Sequence, residues 1–247
     1  MEDRIIGRNP VLEAIKSGRP IDKIIIKKGR LEGSIVSIIK KAREAGIVVQ
    51  EAEHRKLDTI ADGENHQGII AYVSPYEYSS ISDILASSRE KNEPPFIIIC
   101  DKITDPHNLG AILRTANCVG AHGVVIPKRG SAGLSSIAVK TSAGAAEYTP
   151  VAKVTNLAYA IDELKKEGLW IAAADMNGSE MYDSDLTGPL GIVIGSEGTG
   201  IGRLVKEKCD FTVSIPMHGQ INSLNASVAA GILMYEALRQ RIKKSTL

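Results

Sequence analysis

The 247-residue chain has only three cysteines, Cys100, Cys118 and Cys209, far apart and in no Cys-x-x-Cys or Cys/His ligand spacing. An odd number of scattered thiols speaks against a disulfide framework and a zinc site, and fits a reducing compartment. No apolar run approaches the roughly 18 residues that suggest a membrane span, and the opening MEDRIIGRNP has no apolar signal core. The expectation is a soluble, cytoplasmic protein with no membrane partner. Two further absences concern ligands. The stretch GIVIGSEGTGIG does not match the G-x-G-x-x-G spacing of a dinucleotide turn, and no lysine follows where a P-loop requires one. A phosphate cradle is thereby disfavoured, and a nicotinamide-dependent oxidoreductase with it. Net charge is nearly absent, at +1, but it is unevenly spread. Residues 16 to 43 hold nine Lys or Arg against Asp22 and Glu32. That stretch reads either as a phosphate-facing surface or as a solvated face balanced by the acidic residues from Glu44 to Glu64.

Composition is otherwise that of a globular protein, with 43% hydrophobic and 24% charged residues. Asn9-Pro10 followed by VLEAIKSG predicts an opening helix capped at Asn9. Strand and helix patterns then alternate: KIIIKK, SIVSIIKKAREAG, IVVQE, HRKLDTIAD, GIIAYVS. Residues 1–74 therefore form a small α/β unit, 75–95 a Ser/Glu/Tyr/Pro-bearing linker with SDILASSRE as a short helix, and 96–247 a second α/β unit. In the second, the apolar FIIIC suits a strand buried on both faces. Continued alternation through LWIAAA, GIVIG and FTVSIP to a long final helix predicts a mostly parallel sheet.

Three segments could carry chemistry. Asp105 and Pro106 start a helix on which Leu109, Ile112, Leu113 and Ala116 share one side, and Gly110, Arg114 and Asn117 the other. Arg114 is either a solvated arginine or a functional one. Glu197 stands within the glycine turn as a loop residue or a hydrogen-bonding anchor. Ser223 and Asn225 flank the start of the last helix, where the eight residues Val228 to Tyr235 are nearly all apolar, Ala or Gly, and need cover from a core or a partner subunit. His218 is assigned no role.

Taken together, N-L-G-x-x-x-R-T-A at Asn108 to Ala116, I-G-S-E-G at Ile194 to Gly198 and S-L-N-x-S at Ser223 to Ser227 resemble the three motifs of the SpoU (TrmH) class of RNA 2′-O-ribose methyltransferases in the SPOUT superfamily. GRNPVLEAI and NHQGIIAYV resemble the small RNA-binding domain of the branch that methylates a guanosine of large-subunit (23S) ribosomal RNA. The resemblance implies a deep trefoil knot in the C-terminal unit and S-adenosylmethionine as cofactor, bound by Gly195, Ile215 and Leu224 with Met217 and Thr141 as neighbours. It implies catalytic roles for Asn108, Arg114, Glu197, Ser223 and Asn225, no metal, an RNA substrate rather than DNA, and a homodimer through the final helix. The alternatives are the same chemistry on a transfer RNA or another ribosomal site, or a non-catalytic RNA-binding or ribosome-assembly protein.

Overall fold

A computed structural model describes residues 4–29, 31, 33–73, 76–221 and 223–245. The chain divides into two compact units, the first running to Glu77 and including Leu134–Ser136, the second taking Tyr78–Gly133 and the chain from Ile137 on. The boundary expected at Ser74 and Pro75, and Arg30 and Glu32 of the basic stretch, lie outside the described residues.

The first unit runs β1 (Arg4–Ile6), α1 (Arg8–Lys16), β2 (Ile21–Lys27), α2 (Ser34–Glu44), β3 (Val48–Ala52), α3 (His54–Ala61) and β4 (Ile69–Val73). Its sheet order is β1-β4-β2-β3, with β2 and β3 parallel and β4 antiparallel to both its neighbours. The run of three isoleucines in β2 follows from cover on both faces. Ile24 and Ile26 pack with Val11, Ile35 and Ile38 of α1 and α2, while the intervening Ile25 packs with Leu57 and Ala61 of α3. Asn9 is not the cap of α1. Gly7 holds that place with φ 95°, and the helix begins one residue before Asn9, at Arg8.

The second unit contains α4 (Ile81–Glu90), β5 (Phe96–Cys100), α5 (Pro106–Cys118), β6 (Gly123–Pro127), α6 (Ser136–Thr141), a 3-10 turn (Ala145–Glu147), β7 (Val151–Val154), α7 (Leu157–Lys166), β8 (Trp170–Glu180), β9 (Leu190–Ile194), α8 (Arg203–Lys208), β10 (Phe211–Ser214) and α9 (Ala226–Ser245). Its six strands are all parallel in the order β10-β8-β9-β5-β6-β7. Most of the expected linker belongs to this unit. A reciprocal cap between Ser80 and Asp83 starts α4, which buries Ile81, Ile84 and Leu85 beside Ile97, Ile99 and the apolar face of α7. On the other face, buried Leu109, Ile112, Leu113 and Ala116 of α5 meet α9, whose Ala230, Leu233, Met234 and Ala237 are buried.

β8 is longer than LWIAAA suggested and is interrupted. It pairs with β10 as Ala173 with Thr212 and then as Ser179 with Val213, so consecutive residues of β10 bracket five residues of β8, 174–178. Those five are looped out of the ladder at the end of the sheet where the candidate site lies.

Candidate active site

Three strand ends and the start of α9 enclose a cleft of about 360 Å³. One wall is the looped-out segment Ala174–Asn177, a second the glycine turn from Ile194 to Gly200, and a third the stretch from Ile215 to Ala229 that leads into α9. The glycine turn doubles back tightly. A Cβ on Gly195 would lie 2.3 Å from the Gly200 carbonyl carbon and 2.4 Å from the Ile201 nitrogen, so only glycine fits there. The turn is closed from behind by Asp101, a buried acid at the end of β5. Its Oδ2 accepts from Gly202 N–H at 2.6 Å, and its own N–H donates to Ile194 O at 2.8 Å.

At the mouth of the cleft the three motifs meet in one network. Glu197 Oε1 accepts from Asn108 Nδ2 at 2.9 Å, from Asn225 Nδ2 at 2.6 Å and from Ala226 N–H at 3.4 Å. Asn225 Nδ2 also donates to Asn108 Oδ1 at 3.0 Å. The opposite end of Asn225 caps α9, its Oδ1 accepting from Ser227 N–H at 2.9 Å. Glu197 is thus an anchor for amides from two other segments 89 and 28 residues away.

Gly195, Ile215, Leu224, Met217, Glu197 and Ser223 all line the cleft. Asn108 and Asn225 reach it through Glu197. Arg114 does not line it; its side chain is exposed on α5. Thr141 is also elsewhere, on α6, its Oγ1 3.3 Å from His107 Nδ1. The reason is Gly110, which is not on an open face as its helical position suggested. It is buried under α6, where a Cβ would come 2.5 Å from Ala138 O and 2.6 Å from Thr141 Cβ.

Among the described lining residues are two carboxylates, Asp175 and Glu197, and no Lys, Arg or His. Asp175 was not singled out from sequence, and neither was Asp101; each is a lone acid after an apolar strand, with no spacing signal. Lys206 Nζ bonds Asp175 Oδ2 at 2.7 Å, and this bond, helped by Asn177 N–H, holds the Asp175 carboxyl below the usual carboxylate range despite partial burial. With Asp175 paired to Lys206, Glu197 is the lining acid whose charge faces the cleft.

Elsewhere, His54, Asp58 and His66 of the first unit bring ligand-type atoms within 4.8 Å of one another. Their hydrogen bonds argue against a metal centre. His66 Nδ1 accepts from Gly68 N–H at 3.0 Å, so Nε2 carries the proton and donates it to Asp58 Oδ1 at 3.0 Å. A ligating imidazole uses the reverse arrangement, with its distal N–H given to an acceptor.

Sheet, cleft and network place the second unit among α/β proteins that bind ligands beyond the carboxyl ends of parallel strands. The chain belongs to the SpoU rRNA methylase family, whose model matches residues 95–235, and a model for RNA 2′-O ribose methyltransferase substrate binding matches residues 4–79. YacO of Bacillus subtilis, named for the TrmH family of tRNA/rRNA methyltransferases, is 48% identical over 97% of this chain and 96% of its own length. A Staphylococcus aureus protein named for the same family is also 48% identical, over 98% of both chains. Among solved structures, the SpoU methyltransferase AviRb of Streptomyces viridochromogenes, in complex with the cofactor AdoMet, superposes with a TM-score of 0.63 at 25% identity, covering 98% of this chain and 91% of its own.

Proposed function

We propose that this chain transfers a methyl group from S-adenosylmethionine to a ribose 2′-oxygen of RNA, with a guanosine of 23S ribosomal RNA as the target. The observation that supports this best is the Asn108–Glu197–Asn225 network, which joins all three motifs at the edge of a glycine-walled cleft. The cleft suits the cofactor in charge as well as in shape. S-adenosylmethionine carries a sulfonium, an ammonium and a carboxylate, a net positive charge that Glu197 favours, whereas a dinucleotide brings phosphates that it repels. Gly195, Ile215, Leu224 and Met217 are assigned to hold it, through backbone groups and small apolar surfaces.

When bound, the cofactor supplies a methyl group already activated on cationic sulfur. What the protein must add is alignment of the 2′-oxygen and a path for its proton. A guanidinium loses its proton only more than ~5 pH units above neutrality, at about 1.4 kcal/mol per unit, or roughly 7 kcal/mol in all. Arg114 therefore serves as a cation, gripping an RNA phosphate and polarising the 2′-hydroxyl. Ser223 and Asn225 orient the ribose, and Glu197 fixes the glycine turn against α5 and α9.

The first unit, with its basic stretch, is assigned to RNA binding, and the trefoil threading of residues 192–230 belongs to the same reading. So does a homodimer through α9. Val228, Tyr235 and Ile242 recur every seventh residue on that helix and are 48%, 53% and 58% exposed, an apolar stripe that suits a second copy. The decisive experiment maps 2′-O-methyl marks on ribosomal and transfer RNA from cells with and without the protein. Loss of one guanosine mark in 23S RNA, restored by complementation, supports the proposal. Loss of a transfer-RNA mark moves the target, and an unchanged map removes the function.

A further inference from the structure

Resting on that reading, we infer that His107 is the group that takes the 2′-hydroxyl proton, and that Thr141 holds its ring in place. His107 is the second residue of α5, and its N–H is fixed by Asp105 Oδ1 at 2.8 Å. Arg114 follows it by seven positions, which puts the two side chains on one face of the helix with an axial rise of about 10 Å between them. Helical side chains lean toward the N-terminus, so the long Arg114 side chain reaches back toward the turn that bears His107.

Between these two residues lies Gly110, and the missing side chain is what lets α6 close on α5. The same approach brings Thr141 Oγ1 to 3.3 Å from His107 Nδ1. In the tautomer that donates Nδ1–H to this hydroxyl, Nε2 keeps its lone pair, and it has no protein partner among the described residues. The next residue, Asn108, is bonded to Glu197 at the cleft, so the imidazole is one peptide from the network that borders the cofactor site. The charged residues on the two helices that meet at this ring are Asp105 at the cap of α5, Arg114 on α5 and Lys140 on α6, and Glu197 is bonded to the adjacent Asn108.

An imidazole exchanges its proton near neutral pH, which a guanidinium does not. The 2′-oxygen forms its bond to the methyl carbon as its proton passes to Nε2, and the carbon–sulfur bond breaks with its electron pair left on sulfur. The imidazolium then gives the proton to water. Arg114 contributes charge and alignment, and His107 contributes basicity.

The test is single-turnover methyl transfer to hypomethylated ribosomal RNA across pH 5.5 to 9.5, beside calorimetric titration with S-adenosylmethionine. His107→Gln is expected to lose about 100-fold in rate and the acid limb of the profile, with cofactor affinity within about twofold of wild type. Added imidazole is expected to restore part of the rate of His107→Gly. Thr141→Val is expected to slow transfer about fivefold without weakening cofactor binding. A His107→Gln profile that keeps its acid limb at near wild-type rate overturns the inference, as does a Thr141→Val variant whose main defect is cofactor affinity. An inactive wild-type protein on both ribosomal and transfer RNA defeats the parent function instead.

Discussion

Gly110→Ala sets two known effects against each other at one helical position. Alanine is the better helix former by about 1 kcal/mol, which acts to stabilise α5. Its Cβ, however, would lie 2.5 Å from Ala138 O, 2.6 Å from Thr141 Cβ and 3.1 Å from Thr141 Cγ2. Ordinary contact starts near 3.4 Å, so α6 must retreat by about 1 Å, and forcing a methyl into a closed contact costs about 1–3 kcal/mol. Packing wins by about 1 kcal/mol, which lowers the melting temperature by about 2–4 °C in a unit of this size. The displacement carries Thr141 away from His107, so methyl transfer should fall. Binding of S-adenosylmethionine should not, because α6 does not line the cleft. Thermal unfolding, calorimetric cofactor titration and single-turnover transfer on the same preparation check all three. A variant that melts higher by the full propensity gain and transfers at wild-type rate would falsify the tight α5–α6 contact.

Arg114→Lys keeps the charge but loses the planar fork, and it is expected to slow single-turnover transfer at saturating RNA by at least about tenfold with cofactor binding intact; an unchanged rate removes Arg114 from the mechanism. Asn225→Ala deletes both the cap of α9 and a link to Glu197, so a destabilisation of about 1 kcal/mol is expected in denaturant unfolding, together with weaker cofactor binding. In the first unit, bonds from His54 and then His66 hold the Asp58 carboxyl below its ordinary 3.8. A depressed carboxylate stabilises the fold above the unfolded value and loses that contribution as pH falls through the folded one. Asp58→Asn should therefore be less stable than wild type near neutrality, with the gap closing as the pH drops below 3.8; a gap that persists at pH 2.5 would show that the bonds do not depend on charge.

The parts of the fold that announced themselves were those where burial dictates composition. KIIIK and FIIIC are apolar without alternation because helices cover both faces of β2 and β5. The elements that escaped were short or sparsely apolar. Strand β7 has four residues on the sheet edge and α6 has six, whereas the helix expected at SDILASSRE is present as α4 despite its serines. Periodicity assigned Gly110 to the side facing away from the sheet correctly, but it cannot say that another helix covers that side. Thr141, expected as a neighbour of the cofactor, packs with the rest of α6 against α5, outside the residues that line the cleft. The meeting of Asn108, Glu197 and Asn225 joins residues up to 117 apart in the chain, a proximity that motif resemblance suggested and no local pattern encodes. Asp101 and Asp175 gave no warning, since a single acid after a strand has many uses.

The break in β8 separates two design problems that strands usually solve together. Pairing with β10 resumes at Ser179 in the same parallel sense in which it stopped at Ala173, so the ladder itself does not set the length of the wall between them. A residue inserted or removed between Ala174 and Asn177 changes the depth of the cleft without shifting the alternation of either strand, whereas Gly178 is fixed on β10, where a Cβ would lie 2.5 Å from the Thr212 carbonyl. In this architecture the wall is a modular part, where ligand preference can be recut while the core beneath it stays as it is.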